Sequence, residues 1–268
     1  MKNSVKNWIY IILVIIIICI IDVCLVKIIL WKQENKKTEK LINNISNEVE
    51  ITTSTNEAET LNDNADSSDP YWDYINLPLT DVDFTNLLNI NSETVGWINV
   101  KNTNVNYPIV KHSDNSFYLT HTFNQSKNSA GWVYMDYRNN TTTIDKNTII
   151  YAHGRLDGSM FGSLRKVIKK NWLENEDNHI INFSTSSYNS MWQIFSVYKI
   201  KPTNDYLTIS FNNDDIYNNF LTTLKNRSIH NFQTDISSKD NIITLSTCYD
   251  DNYRLVIHAK LIKIEYKN

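Results

Sequence analysis

The feature that most constrains this chain is an apolar run near its N-terminus. From Trp8 to Val26 every residue is apolar or aromatic except Asp22. A helix over this run is roughly 28 Å long, close to the hydrocarbon thickness of a bilayer. Two lysines precede the run, which favours a cytoplasmic N-terminus. We therefore expect residues 1–31 to form a cytoplasmic tip and a single transmembrane anchor, with the rest of the chain outside the cell.

A cleaved signal peptide is the competing interpretation of the same run. The run is longer than the apolar core of a typical signal peptide, and no small-x-small cleavage pattern follows it. A retained anchor is therefore the preferred interpretation.

Residues 32–70 have a different composition from the rest of the chain. They contain no Gly and no aromatic residue, and their 4 Lys and 9 acidic residues give a net charge of −5. Such a segment buries too little apolar surface to offset the entropy of ordering it. The composition predicts a polar, flexible stalk, with residues 32–50 as a partly helical continuation of the membrane helix.

Residues 71–268 carry 19 basic and 19 acidic side chains, so this region is electrically neutral. Neutrality argues against a nucleic acid as a partner. The length suits one domain with its own core. Its short β-rich runs, broken by turn residues, predict a mostly-β barrel or sandwich with helical insertions.

Eight β-rich runs are predicted as strands: Trp97–Val100, Val105–Val110, Trp132–Asp136, Thr148–Ala152, His179–Phe183, Met191–Ile200, Ile242–Thr247 and Tyr253–Tyr266. Three segments are predicted as helices: Asp81–Leu88 with Thr80 as its N-cap, Ser159–Lys170 and Asp214–Leu224.

The cysteines narrow the search for chemistry. The chain has 3 cysteines, too few for a disulfide framework, and two of them lie in the apolar run. Cys248 is the single cysteine of the predicted domain. It is either a small core residue or a free reactive thiol. Its place at the end of a β-branched run, directly before the polar residues 249–252, favours a side chain that enters a cleft.

Two other residues suit a cysteine nucleophile. Arg254 begins the next strand, so a hairpin brings its guanidinium beside the Cys248 thiol, where a cation favours thiolate or stabilises an oxyanion. A thiol nucleophile also needs an imidazole. His153 follows a predicted strand and is the leading candidate among the 6 histidines, while His258, inside the last strand, is interpreted as a barrel histidine whose hydrogen bonds are satisfied. The other four, His112, His121, His179 and His230, are expected at the surface.

These residues resemble the signature of sortases, membrane-anchored cysteine transpeptidases of Gram-positive bacteria. The run Thr244–Cys248, followed by an Arg on the next strand, is similar to the sortase nucleophile strand. The chain also resembles class B members of the family in the helix before the cysteine strand and in six further segments. These segments are 89–98, 105–110, 114–119, 135–138, 150–154 and 158–162. The resemblance covers roughly residues 73–265. A shorter loop between Cys248 and Arg254, and Gly154 where Asn is common, depart from the pattern.

The resemblance implies a closed β-barrel of about eight strands and three catalytic residues. Cys248 is implied as the nucleophile, His153 as the acid and base, and Arg254 as the residue that stabilises the oxyanion or orients the substrate. The implied partners are surface proteins with a C-terminal sorting motif cleaved at Thr, and an amine of peptidoglycan or of its lipid-linked precursor. No cofactor is implied.

Lower-ranked expectations concern the neighbours of the thiol. Ser246 shares a strand face with Cys248, so its hydroxyl either meets substrate or stabilises the strand. Thr247 and Tyr249 are also expected to contact substrate. The adjacent acids at 250 and 251 are interpreted as a solvated turn and not as a calcium site. Two rival functions stay open: a cell-wall cysteine peptidase that uses water as acceptor, and an anchored binding module with an inert Cys248.

Overall fold

A computed structural model describes residues 2–54, 58–61, 74 and 76–267. The chain divides into two compact units, Met1–Asn44 and Ile45–Asn268. Helix α1 runs from Lys2 to Glu48. Its apolar side chains from Trp8 to Trp31 are exposed, and among the described residues it is the helix long and apolar enough to cross a membrane.

The second unit is a β-barrel with helices between its strands. The strands are β1 Ile51–Thr53, β2 Glu59–Thr60, β3 Thr80–Val82, β4 Thr94–Val100, β5 Asn106–Val110, β6 Tyr134–Met135, β7 Asn147–Tyr151, β8 Ile180–Ser184, β9 Tyr188–Ile200, β10 Ile242–Cys248 and β11 Arg254–Tyr266. The α-helices are α2 Thr85–Ile90, α3 Lys170–Leu173 and α4 Asp214–Asn226. Short 3₁₀ helices cover Phe117–Leu119, Gly162–Ile168 and Glu176–Asn178.

Eight strands form the barrel in the order β10-β7-β6-β5-β4-β8-β9-β11, and pairing of β10 with β11 closes it. These eight strands correspond to the eight predicted from the sequence. Strand β10 pairs in parallel with β7, with Ser246 opposite Tyr151. Because parallel strands end at the same edge of a sheet, the residues that follow β7 and β10 meet at one rim of the barrel.

The helices agree less closely with the sequence predictions. Helix α4 lies where it was predicted, and its N-cap Asn213 accepts a hydrogen bond from the Ile216 N–H at 2.9 Å. The helix predicted from Asp81 begins only at Thr85, because residues 80–82 form β3 instead and pair with β1. The segment predicted as one helix from Ser159 is the 3₁₀ helix Gly162–Ile168 followed by α3.

Part of residues 32–70 is structured. Helix α1 continues to Glu48, in line with the helical continuation predicted for residues 32–50, whereas two short strands differ from the predicted stalk. Strand β1 pairs with β3, and β2 pairs with β11 at Ile264 and Lys263. These backbone hydrogen bonds join residues 51–53 and 59–60 to the barrel unit, although their side chains are mostly exposed. Residues 55–57 and 62–70 of the predicted stalk lie outside the described residues.

Candidate active site

A cleft of about 560 Å³ opens at the rim where β7 and β10 end. It contains the three residues that the sequence singled out, Cys248, His153 and Arg254. Its other lining residues are Asn115, Leu119, Tyr134, Tyr151, Ala152, Pro202, Thr203, Asn204, Tyr206, Leu207, Ser246 and Thr247. The barrel topology therefore brings a thiol, an imidazole and a guanidinium into one cavity.

The thiol and the guanidinium are joined by strand register. Cys248 is the last residue of β10 and lies opposite Arg254, the first residue of β11. Directly opposed side chains of an antiparallel pair lie on the same face of the sheet. Accordingly, Nη1 of Arg254 donates a hydrogen bond to Sγ of Cys248. The sulfur of Cys248 therefore lies in direct contact with a permanently charged guanidinium.

His153 is held by a backbone carbonyl from a different segment. Its Nε2 lies 2.8 Å from the oxygen of Leu119. A carbonyl oxygen only accepts, so Nε2 carries a proton and the other ring nitrogen, Nδ1, is left for proton exchange. Gly131 permits this approach: its φ is +61°, and a Cβ there would lie 2.9 Å from Cδ2 of His153.

The loop that carries His153 packs directly against the end of strand β10, which carries Cys248. A Cβ on Gly154 would lie only 1.8 Å from the Cys248 carbonyl oxygen, so a larger residue requires the backbone to move. The Thr247 hydroxyl donates to the Ala152 carbonyl at 2.8 Å. Gly154 therefore fits the close contact between the two loops in this chain, where the resemblance leads one to expect Asn.

Arg165 ties the same two loops together through three hydrogen bonds. Its Nε and Nη2 donate to the Tyr249 carbonyl at 3.2 and 2.7 Å, and its Nη1 donates to the Arg155 carbonyl at 3.0 Å. Arg155 is two residues after His153, and Tyr249 is one residue after Cys248. Arg165 could not be identified from the sequence, because nothing in the local pattern shows which loops a helix residue reaches.

The three residues expected to contact substrate have different surroundings. Ser246 and Thr247 line the cleft, but both hydroxyls are engaged: Ser246 with the Tyr206 hydroxyl at 2.9 Å and Thr247 with Ala152. Tyr249 is not among the described residues that line the cleft. Its ring lies instead under the Lys199 ammonium, 4.5 Å from the ring centroid.

Tyr206 belongs to a wall of the cleft that was not predicted from the sequence. The loop after β9 contributes residues 202–204, 206 and 207 to the cleft. The buried amide of Asn147 holds this loop by donating to the carbonyls of Tyr206 at 3.3 Å and Thr208 at 2.9 Å. Burial raises the pKa of the Tyr206 phenol, so it stays a neutral hydroxyl. Asn115, Leu119 and Tyr151 were also missed as wall residues, although they lie in stretches that carry the family resemblance.

Two of the remaining histidines are buried. His258 is fully buried between the hydroxyls of Tyr198 and Thr244, at 2.9 and 2.8 Å, as its place inside a strand predicted. The expectation that His179 lies at the surface is wrong. Its side chain is 3% exposed because the ring packs against Phe232 and its Nε2 donates to the Leu173 carbonyl.

Asp250 shapes the turn between β10 and β11. The Asp250 carboxylate accepts the N–H groups of Asn252 and Tyr253 at 2.8 and 2.9 Å. Among the described residues no group of three or more His, Cys, Asp or Glu side chains is arranged to hold a metal ion.

Known proteins match this architecture. The family model for the sortase domain matches residues 98–262. Sortase B of Listeria monocytogenes is 36% identical over 180 residues, which is 66% of this chain and 72% of that protein. A Staphylococcus aureus sortase B–substrate complex matches at 35% identity with a TM-score of 0.63, covering 67% of this chain and 84% of that one. A sortase B complexed with triglycine matches at 35% identity with a TM-score of 0.64, covering 67% and 85%.

A barrel of this topology with a cysteine cleft at its rim defines a class of acyl-transfer enzymes that work through a thiol. The chain belongs to the sortase family, and its relatives place it in class B. It is a sortase-type cysteine transpeptidase.

Proposed function

We propose that this transpeptidase is anchored in the cell membrane and cleaves a C-terminal sorting motif at Thr. It transfers the cleaved protein to an amine of peptidoglycan or of its lipid-linked precursor. The observation that carries the proposal is the hydrogen bond from Arg254 to the Cys248 sulfur inside a cleft that also holds His153. The S. aureus relative is a substrate complex and another relative is a complex with triglycine, a peptide with a terminal amine.

Cys248 acts as the nucleophile. His153 first takes the thiol proton on Nδ1, and the resulting thiolate attacks the carbonyl carbon of the motif Thr, forming a C–S bond and a tetrahedral oxyanion. The C–N bond then breaks, and His153 gives a proton to the leaving amine. The product is a thioacyl-enzyme on Cys248.

The second half of the reaction runs the same path in reverse with a new amine. The acceptor amine attacks the thioester carbon and His153 takes the proton that it loses. The C–S bond breaks and the thiolate returns to its hydrogen bond with Arg254. Leu119 keeps the imidazole in one orientation through both halves, because its carbonyl holds Nε2–H at 2.8 Å.

Arg254 is the oxyanion donor in this scheme. The neighbouring backbone amide is already engaged, since the Tyr249 N–H donates to the Tyr253 carbonyl at 2.9 Å within the hairpin. The occupied Tyr249 amide leaves the guanidinium as the principal donor. Its planar fork offers one N–H to sulfur and others to the developing charge.

The N-terminal anchor holds the enzyme at the membrane surface. Residues 1–31 supply the cytoplasmic tip and the span, residues 32–70 connect them to the barrel unit, and the cleft faces the cell wall. The apolar exposed face of α1 supports a membrane position. Acyl donors that are themselves held at the membrane and precursors that are linked to lipid then meet the cleft on one surface.

Trapping the acyl-enzyme tests the proposal. The full chain in detergent micelles is incubated with a panel of sorting-motif peptides of the Asn-Pro-x-Thr and Ser/Pro-Pro-x-Thr types, and the intact mass is measured. We expect an adduct that ends at Thr on Cys248, which a peptidoglycan-type amine then removes as a new amide.

A matched pair of variants controls for the other thiols of the chain. The Cys19→Ala, Cys24→Ala double variant should acylate normally, and Cys248→Ala should give no adduct. Hydrolysis without transfer for every amine offered would favour a peptidase. No adduct with any peptide, together with an unreactive Cys248, would favour a binding module.

A further inference from the structure

A buried carboxylate outside the catalytic trio lies behind the cleft. Asp136 is fully buried just after β6. Its two oxygens accept hydrogen bonds from Nε of Arg138 at 2.8 Å, Nη2 of Arg138 at 2.8 Å, the Arg138 N–H at 3.0 Å, the Asn115 amide at 3.0 Å and the Tyr151 hydroxyl at 2.9 Å. A buried charge is tolerated when it is this fully paired.

The partners of this carboxylate are walls of the catalytic cleft. Asn115 and Tyr151 line the cleft directly. Arg138 connects Asp136 to a third wall residue, Leu207, because its Nη2 also donates to the Leu207 carbonyl at 3.1 Å. These three wall residues come from three separate segments: the loop after β5, the end of β7 and the loop after β9.

The protonation states of Asp136 and Tyr151 keep the hydrogen bonds around the carboxylate in one arrangement. Burial raises the pKa of the Asp136 carboxyl, but the hydrogen bonds from Arg138, Tyr151 and Asn115 outweigh burial and leave the pKa below its usual value. Burial and the neighbouring Asp136 charge raise the pKa of the Tyr151 phenol. At neutral pH the carboxylate is therefore charged and the phenol remains a donor.

We propose that Asp136 and Arg138 are positioning residues that set the spacing of Asn115, Tyr151 and Leu207 and so determine how tightly the cleft holds the acyl-donor peptide. This inference rests on the proposed function only in taking the cleft as the peptide site. Among the described residues, neither side chain hydrogen-bonds to Cys248, His153 or Arg254. Peptide affinity therefore depends on the pair, and the reactivity of the thiol does not.

A binding experiment tests this without any transfer reaction. The affinity of the peptide that gives the most acyl-enzyme is measured by calorimetry for the full chain carrying Cys248→Ala, with and without Arg138→Ala. Loss of the charge-assisted bonds should weaken binding roughly tenfold or more. Arg138→Lys keeps the charge on an exposed side chain but loses the fork, and should give an intermediate loss.

Thiol reactivity separates positioning from chemistry. In the Cys19→Ala, Cys24→Ala background, the rate and pH profile of Cys248 alkylation by iodoacetamide should be the same with and without Arg138→Ala. Lys267→Met is the matched control, since Lys267 pairs with Asp81 at 2.6 Å and donates to the Val82 carbonyl at 3.3 Å, and none of these three residues lines the cleft. It should leave peptide affinity unchanged.

Three results would overturn the inference. One is unchanged peptide affinity in both Arg138 variants. Another is an alkylation profile that shifts along with affinity, since that would place the pair in the chemistry. The third is an equal loss of affinity in Lys267→Met, which would show that the loss in Arg138→Ala reflects a general loss of protein stability. Each is independent of transfer, because acyl-enzyme formation on the wild-type chain tests the proposed function separately.

Discussion

One histidine lies at the rim of the barrel and another in the buried interior of the protein, and the two differ in exposure and in hydrogen-bond partners. His153 at the rim is partly exposed, lines the cleft and has one nitrogen held by the Leu119 carbonyl. His258 in the interior has no exposed surface, and both of its nitrogens meet hydroxyls. Burial, and then the positive charge of Arg227, lower the pKa of His258 to about 3.

The comparison shows that hydrogen-bond partners decide the role of an imidazole. The Thr244 hydroxyl donates to Asn147 at 2.7 Å, so it accepts from Nδ1–H of His258, and the Tyr198 hydroxyl donates to Nε2. The interior ring is a neutral bridge between two strands. The rim ring keeps a nitrogen for the reaction. We therefore expect rim substitutions to change rates and interior substitutions to change stability.

The largest expected effect is at the rim. His153→Gln should lower the acylation rate by about 10²–10⁴-fold, because general acid–base catalysis contributes that much. The melting temperature should stay close to that of the wild type. Stopped-flow acylation with a sorting-motif peptide measures the rate, and a variant within a few-fold of the wild type would remove His153 from the proposed mechanism.

Arg254→Lys is expected to have the next largest effect. A lysine keeps the charge but cannot reach both the sulfur and the oxyanion with a planar fork. We expect a loss of about 10²–10³-fold in acylation rate, the usual range for removing an oxyanion donor. Peptide affinity in the Cys248→Ala background should change little, and a large loss of affinity there would instead make Arg254 a substrate-orienting residue.

The site could be predicted from the sequence where its residues are linked by short chain distances or by strand ends. Cys248 and Arg254 are six residues apart and face each other across one hairpin. His153 was found because it follows a strand, and the parallel pairing of β7 with β10 explains why that strand end matters. The eight barrel strands were predictable for a similar reason, since their β-branched and aromatic runs are continuous.

The rest of the site depends on contacts that no local pattern encodes. The Leu119 carbonyl contacts His153 across 34 positions of sequence, and the Arg165 side chain contacts Tyr249 across 84. The Asp136 carboxylate contacts two wall residues of the cleft across 15 and 21 positions. His179 begins a predicted strand directly after the polar residues Asp177 and Asn178, and these surroundings predict a position at the surface. In the structure those polar residues form a 3₁₀ turn, and the ring after them turns inward.

The interior side of the comparison predicts a loss of stability. His258→Leu removes both hydrogen bonds of the ring and leaves the buried hydroxyl of Tyr198 without its acceptor. We expect the free energy of unfolding to fall by about 2–4 kcal/mol. Urea denaturation measures this change. Acylation per folded molecule should stay within about threefold of the wild type, and a loss like that of His153→Gln would show that the interior ring also serves the chemistry.

The smallest effect expected is a dependence of stability on pH that belongs to His258. Its pKa falls from 6.5 in the unfolded chain to about 3 in the fold, so below pH 6.5 the unfolded chain binds a proton that the folded chain does not. The stabilisation is therefore complete above pH 6.5 and is lost progressively as the pH falls towards 3. One proton corresponds to about 1.4 kcal/mol per pH unit. Between pH 6 and 5 the wild type should lose about that much more than His258→Leu, whereas parallel curves would mean that the ring is already protonated in the fold.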